Sequence, residues 1–183
     1  MHFHATALAG VYQVELAPHS DERGFFARTW CTREFAEHGL PGQLVQSSLS
    51  HNERKGTVRG MHFQWAPSQE GKLVRCERGA VFDVMIDLRP ASATFLQHFA
   101  VELDSDRVNA VYIPPGIAHG FQTLADETRV IYMMTDFYAP ELADGFRYDD
   151  PAFGIRWPLA VSVISGRDRS YPDFDRAQYL RRA

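Results

Sequence analysis

The sequence predicts an all-β fold, a double-sheet jelly roll with minor short helices. Three observations carry that prediction: apolar and polar residues alternate over short runs, turn residues punctuate those runs at regular spacing, and helical periodicity is weak. At 183 residues the chain is long enough for one sizeable core and short for two. No Pro/Gly/Ser-rich linker or long repeat divides it, so residues 1–183 read as one domain.

Taken in order, GVYQVELAP, GQLVQSSLS, TVRGMHFQW, GKLVRCERG, AVFDVMIDL, FLQHFAVEL, NAVYIPP and TRVIYMMTDFY fit strands by alternation or by β-branched and aromatic content. Between them HSDERG, PSQEG, ERG, RPASAT, DSDR and LADE supply turn signals. Two stretches read as helix: TREFAEHG, two turns closed by Gly39, and DRAQYLRR, which opens on an Asp-x-x-Gln cap pattern. Side chains on a strand repeat every second residue, so His62 and Gln64 share one face while Met61, Phe63 and Trp65 share the other. By the same count Lys72 lies with Val74 and Cys76, and Tyr132 with Val130 and Met134. Asp83 faces away from Phe82, Val84 and Ile86, toward either Lys72 or His119.

Composition narrows the function. The net charge of -4 with interspersed acids and bases gives no electrostatic footprint for nucleic acid or an anionic membrane. Cys31 and Cys76 form no CxxC pair, MHFHATALAG lacks the features of a secretion signal, and no apolar run approaches the ~20 residues of a membrane span, so a cytoplasmic location is expected. Lysine occurs only at Lys55 and Lys72, and the second lies within an apolar strand pattern.

The chemistry-bearing residues gather around two motifs. In YIPPGIAHGF the order P-x-G-x-x-H, Pro114 to His119, resembles the second motif of the cupin jelly rolls. Metal-dependent cupins carry H-x-H in their first motif, where two imidazoles and a carboxylate enclose a divalent ion. Here that position reads His62-Phe63-Gln64, and Lys72 adds a like charge, so no metal is expected. Histidines and a lysine without a metal point to proton transfer near neutral pH.

Over nearly the whole chain the motif order resembles one family, the dTDP-4-dehydrorhamnose 3,5-epimerases. The matching stretches are DERGFF, RGMHFQ, GKLVRCERGAVFDVMIDLR, YIPPGIAHGF, Tyr132 with TDFYAPE, DDPAFGIRWP and ISGRDRSYP. The resemblance implies a cupin-type jelly roll and a cofactor-free, metal-free site. It also implies a homodimer with exchanged N-terminal strands and a nucleotide-linked 4-keto-6-deoxy-hexose as substrate. It assigns catalysis to His62 as base, Asp168 as its partner, Tyr132 as acid and Lys72 as the cation near the enolate oxygen. Substrate binding falls to Arg59 and Arg23 at the diphosphate, Phe26 and Gln46 along the nucleotide, and His119 and Tyr138 around the sugar. Arg28 stands where many members have an acid, and Ser48 where many have Asn, which leaves the nucleotide open between thymidine and another. One inverted centre or two is likewise open.

Two other functions fit the same scaffold. A metal-dependent cupin enzyme would hold stoichiometric metal on His62 and His119; a non-catalytic sugar-nucleotide binding module would bind nucleotide without exchanging substrate protons.

Overall fold

A computed structural model describes residues 1–182. In chain order the strands are β1 (His2–Ala5), β2 (Tyr12–Glu15), β3 (His19–Asp21), β4 (Gly24–Phe26), β5 (Gln46–Asn52), β6 (Thr57–Gln64) and β7 (Lys72–Arg78). They continue as β8 (Ala80–Asp87), β9 (His98–Asp104), β10 (Asn109–Ile113), β11 (Ile117–Thr123), β12 (Thr128–Met134), β13 (Ala143–Gly145) and β14 (Val163–Ile164). Three short helices complete the chain: α1 (Thr32–Glu37), α2 (Gly166–Ser170) and α3 (Arg176–Arg182).

Two sheets form the jelly roll that the alternation predicts. The first runs β1-β2-β10-β7-β12-β5, and the second β13-β6-β11-β8-β9 with β14 added beside β6. Their inner faces meet in a core built by Val74, Cys76, Val111 and Val130 from the first sheet and Val81, Met85, Leu103 and Phe121 from the second. The expected face assignments hold on each of these strands.

Each outer face has its own cover. Over the first sheet, α1 inserts fully buried Phe35 against Leu73, Tyr112 and Val14. Its end comes at the predicted place, with Gly39 at φ +69, the left-handed region that glycine enters at little cost. Over the second sheet, the C-terminal segment packs Phe146, Phe153 and Tyr179 on Met61, Phe63 and Trp65. The cap pattern of the last helix is realised, since Asp175 Oδ1 accepts from the Gln178 N–H at 2.9 Å.

Where strands escape the sequence patterns, burial and length explain it. HSDERG, expected as a turn, is a hairpin of β3 and β4 standing outside both sheets. Strand β11 is buried at every residue, so it shows no alternation beyond the motif that begins it. Helix α2, at five residues, is too short for helical periodicity to register.

Tyr179 ties the C-terminal layer down: its ring stacks on Trp65 at 5.0 Å and its hydroxyl donates to the Leu88 carbonyl at 2.7 Å. Tyr179→Ala is expected to cost about 3 kcal/mol, and Tyr179→Phe about 1 kcal/mol through the hydrogen bond alone. Urea unfolding midpoints check both; equal midpoints for the two variants would refute the packing role.

Candidate active site

The two sheets line a cavity of about 550 Å³, closed along one side by the C-terminal residues Val163 to Asp168. The close approach of β6 and β11 shapes its floor. Gly60 has φ +123, and a Cβ there would run into the Gly120 backbone; one at Gly120 would meet Met61 Sδ at 2.7 Å. The ladder between these strands shifts register beside Gly120, and His62 and His119 are left as direct neighbours. Both imidazoles line the cavity.

Each histidine has its own carboxylate. His62 Nε2 lies 2.8 Å from Asp168 Oδ1, and Asp168 Oδ2 accepts from the Gly60 N–H at 3.2 Å. Asp168 arrives there by local structure: β14 pairs in parallel with the start of β6, Ser165 caps α2 by accepting from the Asp168 N–H, and the first helical turn points the carboxylate at His62. Burial acts to raise the Asp168 carboxyl, but the hydrogen bonds and charge of His62 and the Gly60 amide overcome it and hold it below the usual carboxylate range. His119 Nε2 lies 2.9 and 3.0 Å from the two Asp83 oxygens, which settles where Asp83 points. The two pairs differ in access: 41% of the His62 side chain is exposed, against 5% for His119.

Across the cavity, β12 presents Tyr132. Burial first, and the negative charge of Asp83 second, push its phenol well above the ordinary tyrosine value, so it is a protonated acid at neutral pH. Lys72, the first residue of β7, reaches the same cavity and forms an ion pair with Glu70 at 3.1 Å. Arg59 lines the rim, its Nε donating to Asn52 Oδ1 at 2.7 Å. An acid, a histidine held by a carboxylate, and two cations around one cavity are the components of proton transfer to and from an anionic substrate.

Of the residues singled out in the sequence, His62, Tyr132, Asp168, Lys72, Arg59 and His119 line this cavity together. Tyr138 borders a smaller cavity next to it, and its N–H donates to Gln46 Oε1 at 2.7 Å. Gln46 itself does not line the main cavity, nor do Arg23 and Phe26, which lie on the exposed β3–β4 hairpin. Sequence reasoning missed Arg167, Glu70 and Ser50. Arg167 borders both cavities and donates to the Tyr171 hydroxyl at 2.9 Å; its only signal was its place beside Asp168. Among the described residues no group of three or more His, Cys, Asp or Glu is placed to hold a metal ion, and no helix is long and apolar enough to cross a membrane.

Comparison with known proteins places this geometry among relatives. The family model described as dTDP-4-dehydrorhamnose 3,5-epimerase matches residues 5–176. A dTDP-4-dehydrorhamnose 3,5-epimerase of Sinorhizobium fredii is 39% identical, covering 94% of this chain and 89% of its own. A dTDP-4-dehydrorhamnose 3-epimerase of Streptomyces niveus is 37% identical over 92% of this chain and 82% of its own. Among solved structures, the dTDP-4-dehydrorhamnose 3,5-epimerase of Elizabethkingia anophelis superposes with a TM-score of 0.91 at 33% identity, over 95% of this chain and 96% of that one.

The lowered Asp168 carboxyl fixes the sign of a pH effect. A depressed acid contributes stability that is complete above the ordinary value and is lost as pH falls through the folded one. Asp168→Asn should therefore flatten the loss of stability between about pH 5 and pH 2. Urea unfolding across that range checks it, and an unchanged slope would exclude the carboxylate as a contributor.

Proposed function

The chain belongs to the dTDP-4-dehydrorhamnose 3,5-epimerase family and is a sugar-nucleotide epimerase, and from that premise we propose that it inverts C3, C5 or both of a nucleotide-diphosphate-linked 4-keto-6-deoxy-hexose through an enolate. The observation that carries the proposal is His62 on one sheet, paired with Asp168 of α2, and Tyr132 on the other sheet around a single cavity. A proton α to a carbonyl can be removed by a weak base only when the enolate oxygen is stabilised, and it inverts the centre only when returned from the opposite side.

In this mechanism Asp168 engages Nε2 of His62, leaving Nδ1 to take the substrate proton, and the carboxylate then stabilises the imidazolium. Electrons from the broken C–H bond move onto the carbonyl oxygen, where the Lys72 ammonium meets the developing charge. Tyr132 delivers its proton to the other face of the carbon and becomes a phenolate. Solvent then takes the proton from His62 and restores the one on Tyr132, which returns the enzyme to its starting state. Arg59 serves the diphosphate through its guanidinium fork, His119 borders the sugar, and Tyr138 stands at the smaller cavity beside it.

The protein works as a homodimer in the cytoplasm. Support for the dimer comes from the β3–β4 hairpin, which extends beyond both sheets with Phe25 58% and Phe26 76% exposed and carries Arg23 away from its own cavity. Exchange of this N-terminal region brings Arg23 and Phe26 to the partner's nucleotide. Cys31 and Cys76 are both free thiols, in keeping with a reducing compartment. Relatives named for one inverted centre and for two occur at similar identity, so the number of centres is left to measurement.

Incubation with a dTDP-4-keto-6-deoxy-hexose in D₂O tests the reaction, with deuterium followed by mass and NMR. Incorporation at C3, C5 or both is expected; none with this or any other nucleotide's 4-keto-6-deoxy sugar would sink the proposal. Lys72→Ala should lose on the order of 10²–10³ in rate. In Tyr132→Phe the base still exchanges the proton, so deuterium incorporation should outrun inversion; equal decline of both would remove Tyr132 as the acid.

Mixing chains tests the exchange. An equal mixture of His62→Ala and Arg23→Ala subunits, refolded together, should recover about a quarter of wild-type activity, because half the dimers then hold one intact site of two. An inactive mixture would place Arg23 in its own protomer's site, and wild-type activity in Arg23→Ala alone would place it outside any site.

A further inference from the structure

The smaller cavity, about 210 Å³, lies beside the catalytic one, and His62, Lys72 and Arg167 border both. Glu70 borders the smaller cavity alone. Its carboxylate is 3.1 Å from Lys72 Nζ, and the two side chains are only 9% and 15% exposed. A substrate in the larger cavity therefore meets Lys72 and not Glu70.

The other carboxylates around the two cavities are already engaged. Asp168 is taken by His62 and Gly60, Asp83 by His119, and Asp144 by Trp65 Nε1 and Arg182. The remaining charged or titratable groups facing Lys72 are the guanidinium groups of Arg59 and Arg167 and the phenols Tyr132 and Tyr138, none of which is a carboxylate. Among the described residues Lys72 thus has one anionic partner, and it comes from behind. Gln64 adds a second feature of the same chamber: its Oε1 accepts from the Ala139 N–H at 2.8 Å, while its buried Nε2 has no partner among the described residues. Of the acceptors in this chamber, Glu70 is the one that reaches Lys72.

We propose that Glu70 is a positioning residue, which fixes the Lys72 ammonium on the wall between the two cavities so that its remaining donors are aimed at the enolate oxygen. A flexible four-carbon stem has many rotamers, and an ion pair of low exposure selects one of them before substrate arrives. The effect is on the transition state rather than on substrate binding, because Glu70 lies outside the cavity that the substrate fills. The inference rests on the epimerase mechanism above and adds a residue to it.

Kinetics of Glu70→Ala, Glu70→Gln and Lys72→Ala, with the double variant Glu70→Ala/Lys72→Ala, test this on the dTDP-4-keto-6-deoxy-hexose. Glu70→Ala should lower kcat about ten- to a hundredfold, the scale set by misplacing one catalytic group, with KM nearly unchanged. Glu70→Gln, which keeps an acceptor at the same reach, should recover most of that loss. On the Lys72→Ala background the Glu70 change should cost nothing further, since a residue acting only through Lys72 has nothing left to position. Overturning results are wild-type kcat in Glu70→Ala, a loss confined to KM, or an equal loss with and without Lys72. Should Glu70→Ala fail to fold, Glu70→Asp, which draws the carboxylate back by one methylene, is expected to lose rate in the same pattern. A wild-type protein that exchanges no deuterium would instead defeat the epimerase mechanism itself, so the two failures are distinct.

Discussion

The contact between Asp168 and the β6 strand joins the proposed catalytic site to the architecture. A single carboxylate, 4% exposed, accepts from the Gly60 amide and holds the His62 imidazole, residues more than a hundred positions earlier in the chain. A buried carboxylate without such partners would be costly, so the C-terminal segment is driven to dock where β6 offers a donor. Its docking depends in turn on β14 lying beside β6 and on the Ser165 cap that starts α2. The path of the whole C-terminal segment, including the aromatic layer of Phe146, Phe153 and Tyr179, therefore determines the position of the carboxylate oxygen that meets His62.

A jelly roll solves a conflict that this chemistry creates. Proton transfer needs several charged groups in a space that excludes bulk water, while a sandwich is stabilised by apolar side chains from both inner faces. Here the inner space is divided. Val74, Cys76, Val111, Val130 and their neighbours fill one part, and Lys72, Tyr132, His62 and His119 open the other on the same strands. Every carboxylate that enters this region is matched by a donor: Asp83 by His119, Asp168 by His62 and Gly60, Glu70 by Lys72. Removing one member of such a pair leaves a charge in a poor solvent, which costs more than the pair itself contributes.

Strand alternation made much of this legible in advance. It separated His62 and Gln64 from Met61, Phe63 and Trp65, and it put Lys72 and Tyr132 on inward faces, because half-buried strands must alternate. It failed on β11, whose seven residues are all buried, and on the β3–β4 hairpin, whose residues are all exposed. Neither kind of strand carries a period-two signal. Glu70 was invisible for another reason: it sits in PSQEG, a turn by composition, and its role comes from the chain bending a carboxylate back toward Lys72, two residues on. Alternation also left Asp83 between two partners, since it fixes a face and not a neighbour; the His119–Met85 register beside it supplied the answer.

The two histidine–carboxylate pairs, adjacent on neighbouring strands, have environments that separate their roles. His62 keeps 41% of its side chain accessible, which gives a proton taken up in the proposed reaction a route to solvent. His119 and Asp83, at 5% and 0%, have no such exit and remain a fixed element. Yet Asp83 still reaches the chemistry through its charge, which joins burial in pushing the Tyr132 phenol upward. The acid role proposed for Tyr132 requires a phenol that is protonated at rest, and a carboxylate nearby adds to burial in favouring that form. His119 permits this arrangement by pairing with both Asp83 oxygens, because a carboxylate buried without such a partner would be costly to the fold.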